Sequence, residues 1–338
     1  MFEQSAVIVG AVAGVFGVIG LGMLVRGLGW LTEEADGALL KLSINALFPV
    51  FILNVLLGNP ALEDFGDAWL PPTVGFLCTA TGFAAGAAVA WTIGPKIGLD
   101  TAPKRRAFAL VVGMFNYGYV PIPLVEALFG DSETLGVLLV HNMGVDVAMW
   151  SLGVMVVSGG LSVAGLRKVL NMPLLAIVAA LLLNVAGLPG WLSGLDGAAG
   201  VAVSAVRAFG GMVAATAIPF ALILVGAMVM DELRKADFRE GWGVIAVGCG
   251  LRLGVLPVGF LGLAWLLGPA ATGWGSLELR RVIAVEAAMP SALFPVLLAR
   301  LYGGDPGTAM RVSLSPAAMG RVTIPLWLGF GLWWLGLR

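Results

Sequence analysis

Charge is scarce in this chain. Of its 338 residues only 12% are Asp, Glu, Lys or Arg, while 59% are hydrophobic and the mean hydropathy is +0.98. Soluble globular domains carry roughly 25% charged residues, so this composition belongs to the membrane class. Cysteine is nearly absent, and Cys78 and Cys249 both fall inside apolar segments, where packing accounts for them better than a disulfide does. No Walker loop, zinc-ligand cluster or nucleophile elbow occurs, so ATP-driven pumping and enzymatic hydrolysis have no support. No cofactor, metal or nucleic-acid partner is expected, and the net charge of −1 says nothing about partners. Met1-Phe-Glu-Gln has no positive n-region, so the first apolar segment reads as a retained span. Long loops are lacking too: the longest cytoplasmic candidate, 231–240, reads as a solvated helix end, too small for a soluble domain.

Apolar segments dominate what is present. About 20 apolar residues, each rising roughly 1.5 Å, cross the hydrocarbon layer. That measure predicts ten spans, near 5–26, 37–58, 68–93, 106–129, 134–157, 172–188, 200–230, 241–268, 279–302 and 309–335. Two of them are interrupted: the fourth by Asn116-Tyr-Gly-Tyr-Val-Pro-Ile-Pro123, the ninth by Ala287-Ala-Met-Pro-Ser-Ala-Leu-Phe-Pro295. Proline removes a backbone donor and clashes with the preceding turn, so a helix bends or unwinds at such a run. Inside a bilayer the freed carbonyls and amides must be buried in protein or face a polar cavity. Matching interruptions in two halves point to a transporter's binding site.

The halves do match. At an offset near half the length, Phe48-Pro49 falls on Ile218-Pro219, and Cys78 on Cys249. Pro123 with the following Phe129-Gly130-Asp131 falls on Pro295 with Tyr302-Gly303-Gly304-Asp305. The shared offset indicates tandem duplication. An odd number of spans per half, five, sends the second copy into the membrane the other way up, an inverted repeat. The predicted fold is therefore an all-α membrane protein of ten helices, with repeats 1–168 and 169–338. Charge orients it. Arg26, Lys41, Lys96, Lys104, Arg105, Arg106, Arg167, Lys168, Arg234, Lys235, Arg239, Arg300 and Arg311 fall on one side, and only Arg207, Arg280, Arg281 and Arg338 on the other. The positive-inside rule makes the first side cytoplasmic and both termini external. The acidic connection 58–67 then lies outside.

The chain resembles the auxin efflux carrier family, whose plant members are the PIN proteins and whose bacterial members are permeases. The fourth-span pattern of that family appears as Asn116-Tyr-Gly118-Tyr119-Val-Pro121-Ile122-Pro123 followed by Phe129-Gly130. The ninth-span pattern appears as Ala287-Ala288-Met289-Pro290-Ser291-Ala292, then Ala299-Arg-Leu-Tyr302-Gly303. The fifth and tenth spans contribute His141-Asn142, Trp150-Ser-Leu-Gly153 and Thr323-Ile324-Pro325. Pro121 departs from the pattern, which has glycine there, and stiffens the crossing. The resemblance implies two inverted five-helix repeats whose spans 4 and 9 cross at their broken centres, as in bile-acid symporters and sodium/proton antiporters. Spans 1, 2, 6 and 7 would form a scaffold that often dimerises, and the other six a moving unit, in a bacterial inner membrane. The family's cargo implies a small organic anion, either auxin-like or a dicarboxylate such as malate or malonate.

Residues at the breaks are the candidate binding groups. Asn116 could donate to a carboxylate or cap the broken end without touching a ligand. Tyr117 and Tyr119 offer hydroxyls and rings, for substrate or for interhelical packing. Gly118 belongs to the same run. Pro123 and Pro290 shape the crossing, as do Pro121 and Pro295, and Ser291 either binds ligand or packs. In span 2, Asn45 and Pro49 are four apart and share a helix face, which gives Asn45 a place in the cavity wall. Pro49 and Pro219 are predicted to kink the scaffold. Asp146, Arg252, Glu286 and Arg321 fall near midplanes, where each costs roughly 2.5–3.5 kcal/mol on an isolated span, so each faces protein or water. They either form fixed acid–base pairs or act. In the second case Glu286 or Asp146 carries a coupled proton and Arg252 binds substrate carboxylate or neutralises Glu286. His141 also titrates near neutrality, though a lone histidine there more often packs. The expected activity is secondary transport by alternating access, proton-linked or uniport. A sodium-coupled bile-acid-type symporter and a non-transporting ligand sensor are the alternatives.

Overall fold

A computed structural model describes residues 2–59, 69–160, 172–235, 241–268 and 276–337. The basic residues Arg167, Lys168, Arg239 and Arg338 and most of the acidic 58–67 connection lie outside them. Every extended element among the described residues is helical. In chain order these are α1 (Phe2–Gly27), α2 (Glu33–Leu56), α3 (Leu70–Thr92), α4 (Ala102–Gly113), α5 (Pro121–Phe129) and α6 (Ser132–Ser158). The second half holds α7 (Met172–Val185), α8 (Gly197–Lys235), α9 (Trp242–Leu266), α10 (Ser276–Ala288), α11 (Phe294–Tyr302) and α12 (Pro306–Trp334).

Six of the described helices, α1, α2, α3, α6, α8 and α9, are long and apolar enough to cross a membrane. The other predicted spans take different forms. The sixth is the 14-residue α7 and the tenth is the 29-residue α12. The fourth and ninth are each divided, into α4 with α5 and α10 with α11.

The matched Gly-Asp pairs have the same local structure. Each half-helix α5 and α11 ends on a left-handed glycine, Gly130 at φ 65° and Gly303 at φ 80°. The aspartate that follows caps the next helix: Asp131 Oδ1 accepts from Thr134 N at 2.7 Å and Asp305 Oδ2 from Thr308 N at 2.8 Å.

Helices α1, α2, α7 and α8 pack chiefly on one another, while α3, α4, α6, α9, α10 and α12 pack among themselves. Small residues bring backbones together in both groups, as expected where lipid supplies no hydrophobic drive. A Cβ on Gly22 would meet the Ile223 carbonyl of α8, and one on Gly226 the Ile19 carbonyl of α1. At the α3–α6 contact, Gly75 faces the His141 carbonyl and Gly144 the Pro72 carbonyl. Buried Arg26 pairs with Asp36 and, at 3.2 Å, with Asp231, tying together the ends of α1, α2 and α8. Cys78 and Cys249 are free and buried, as packing residues should be.

Candidate functional site

The two interruptions meet. Between α4 and α5 the chain leaves helix from Met114 to Val120, and between α10 and α11 from Met289 to Leu293. Phe115 and Ser291 form an isolated antiparallel bridge. Asn116 N donates to Pro290 O at 2.9 Å, and Ala292 N donates to Met114 O at 2.9 Å. These are backbone groups that an unbroken helix would have satisfied internally, and here each break satisfies the other. Ser313 Oγ on α12 donates to Ala292 O at 2.6 Å.

Proline begins the outgoing half-helices. Pro121 opens α5 and Pro295 sits in the first turn of α11, positions where the missing N–H costs nothing. Asn116 Oδ1 accepts from Val120 N at 3.4 Å, tying the break to the residue just before α5. Its Nδ2 donates to no group among the described residues, and the side chain is half-buried. Tyr117 and Tyr119 are half-buried beside it. The Tyr117 hydroxyl donates to Asp146 Oδ1 at 2.7 Å, while Asn142 Nδ2 donates to Tyr117 O at 2.6 Å. His141 Nδ1 lies 3.3 Å from Asn142 Oδ1, inside the protein. Tyr119 sets its ring edge-on to Phe48, with centroids 6.0 Å apart. Gly118 has open space where a Cβ would stand.

Across the bridge, Pro290 and Ser291 are buried, and Ser291 Oγ has no partner. Arg252 and Glu286 are enclosed behind it, at 0% and 1% exposure. Arg321 is exposed on α12, its Nε 3.3 Å from Ala318 O, and Asp146 is held by a tyrosine. The four midplane charges thus do not make two acid–base pairs.

Asn45 does not share the face of Pro49. It is exposed, whereas Pro49 is buried. The cause is a π-turn at Ser43–Leu47, whose wider winding takes positions four apart out of line. Pro219 lies within an α8 that stays helical from end to end, and its ring lines a cavity. That cavity, of about 670 Å³, is an open cleft lined by α1, α2, α5 and α8. Val15, Phe51, Pro123 and Pro219 represent its walls, and Asn54 and Glu126 are its polar side chains. Asn142 and Ser313, which hold the breaks in place, carry no spacing signal that would single them out.

The Tyr117–Asp146 bond has a measurable worth. Tyr117→Phe is expected to lower unfolding stability by about 1–3 kcal/mol, because a carboxylate loses its donor. In a double-mutant cycle with Asp146→Asn, thermal unfolding should show the two losses to be non-additive.

Over residues 7–162 the chain matches the model of a family described as membrane transport protein. Over that stretch the chain is similar to the membrane transport family that includes the auxin efflux carriers. The match covers the first interruption, and a second comparison extends to the other. An "uncharacterized transporter" of Methanothermobacter thermautotrophicus is 26% identical over 310 residues, 91% of this chain and 93% of the relative. The family match and the six long apolar helices among the described residues together support a multi-pass membrane protein.

Proposed function

We propose that the protein is a secondary transporter of a small organic anion, working by alternating access at the crossing of the two interrupted helices. The reading takes the chain as ten spans in two inverted repeats, 1–168 and 169–338, with both termini outside. Helices α1, α2, α7 and α8 form the fixed scaffold and the remaining helices the moving unit, in keeping with how they pack. The exposed apolar side chains Val201, Val206, Phe209 and Met212 of α8 suit a homodimer built on that scaffold.

One observation carries the proposal: the unpaired Nδ2 of Asn116 stands where α5 begins, between two mutually bridged breaks. A helix N-terminus favours negative charge, and a primary amide adds a donor aimed at it. Tyr117 and Tyr119 line the same run. The cavity walled in part by Pro123 of α5 favours a monocarboxylate with an apolar body over a dicarboxylate, since its lining holds no cation to meet a second charge. A proton-linked cycle would run through Asp146, which is half-buried at the gap, and Asp146→Asn would then make flux insensitive to an imposed pH gradient.

A thermal-shift screen of malate, malonate and indole-3-acetate tests the reading, with Asn116→Ala as the control. Stabilisation by at least one carboxylate, absent in the variant, is expected; equal stabilisation of both proteins contradicts the site. Filling the cavity with Ala215→Phe should weaken indole-3-acetate about 10-fold or more, from lost apolar contact, and leave malonate unchanged.

A further inference from the structure

The crossing gathers helix ends of both polarities: the N-termini of α5 and α11 and the C-termini of α4 and α10. Unpaired carbonyls at a C-terminus carry partial negative charge and attract cations. At α10 that attraction is met by a side chain. Arg252 Nε donates to Met289 O at 2.9 Å, and its Nη2 donates to Glu286 O at 3.3 Å. The guanidinium also lies 5.1 Å from the centroid of Phe115 and 5.5 Å from that of Phe260. Phe115 is the residue that bridges to Ser291, so the cation sits directly against the paired breaks.

The backbone is arranged to deliver it. Arg252 belongs to a π-turn, Leu251–Val255, within α9. Such turns are rare and frequent at functional sites. The Leu253 carbonyl of this turn accepts from Trp327 Nε1 at 2.6 Å, so α12 supports the irregular winding.

The surroundings hold more polar capacity than the arginine uses. Arg252 Nη1, both carboxylate oxygens of Glu286 and Ser291 Oγ have no hydrogen-bond partner, and all three residues are at least nine-tenths buried. Glu286 lies within the electrostatic reach of the guanidinium. At the end of α10 the carbonyls of Glu286 and Met289 thus face a fixed positive charge, and the Glu286 carboxylate feels that charge without a close ion pair. Carbonyl oxygens are donors that hard cations also accept.

We infer that Arg252 is a tethered cation standing on the carbonyls of Glu286 and Met289 at the C-terminal end of α10, where a dissolved monovalent cation would otherwise be held. The consequence is that the crossing needs no dissolved cation at that end. Arg252 here is a positioning residue, neutralising Glu286 and the half-helix while the substrate is handled at the α5 side. The inference rests on reading the crossing as the transport site, but its test uses no substrate.

The experiment is thermal unfolding of the purified full-length protein in sodium, potassium or choline chloride at equal ionic strength, with low guanidinium chloride as a further condition. The native protein is expected to melt at one temperature in all three salts. Arg252→Gln, which keeps a donor for the carbonyls and loses the charge, should melt lower in choline. It should regain about 4 °C or more in either about 100 mM sodium or a low, non-denaturing guanidinium concentration. Arg252→Lys should restore the salt-independence of the native protein, and Arg252→Gln/Glu286→Gln should lose the response to cations. Arg252→Ala provides the same comparison with no donor at all. A native melting temperature that rises with sodium, or neutral variants indifferent to every cation, would overturn the inference. Failure on those terms leaves the Asn116 result standing or falling by itself.

Discussion

Asn116→Asp should fold as well as the native protein and bind carboxylates at least about 10- to 100-fold more weakly, the worth of one hydrogen bond to a charged group. The substitution separates two roles that share one side chain. Asn116 Oδ1 accepts from Val120 N just before α5, and either aspartate oxygen can do the same. The Nδ2 donor, without a partner among the described residues, is replaced by a second acceptor carrying negative charge. An anion at the N-terminus of α5 then loses its donor and meets a like charge. Asn116→Ala removes acceptor and donor together, so it should lose stability as well as binding, by about 0.5–1.5 kcal/mol for the hydrogen bond to Val120 N. Isothermal titration against a carboxylate, with thermal unfolding alongside, reads both quantities. Undiminished binding by the aspartate variant would mean that the side chain serves only as the acceptor for Val120 N.

Gly144→Ala is expected to cost about 1–3 kcal/mol or more and to impair binding without touching a site residue. A Cβ there would run into the Pro72 carbonyl and stand 2.8 Å from Phe76 N, both fixed backbone of α3. No rotamer relieves such a contact, so α6 must move. This helix carries Asn142 and Asp146, whose bonds to Tyr117 hold the first break open. Displacing α6 therefore loosens the crossing from outside it. Gly17→Ala on α1, where a Cβ meets nothing within 4 Å, is the matched control and should be neutral. Thermal unfolding and carboxylate binding of the two variants give the comparison; equal effects would show that the α3–α6 contact tolerates more than its geometry suggests.

The breaks were legible because proline is. Pro121, Pro123, Pro290 and Pro295 announce where helix cannot continue, and two of them open the half-helices that follow. The glycine and aspartate residues that suggested repetition share one local structure, a left-handed exit followed by an N-cap. The pairing of the breaks was not written in any side chain. Asn116 N and Ala292 N bond to Pro290 O and Met114 O, and backbone groups look alike at every position. The same blindness hid the role of Arg252, which the sequence pairs with a carboxylate and the fold points at two carbonyls. Asn45 misled for a different reason: helix-face arithmetic assumes an α-helix, and a π-turn runs through residues 43–47. The interrupted helices are each shorter than the six long apolar ones among the described residues.

A structure of the protein bound to a carboxylate that raises its melting temperature is the most direct test of where the cargo sits. The account predicts a carboxylate oxygen within about 3 Å of Asn116 Nδ2, at the N-terminal turn of α5. A carboxylate lodged elsewhere, with that amide still unpaired, would contradict it.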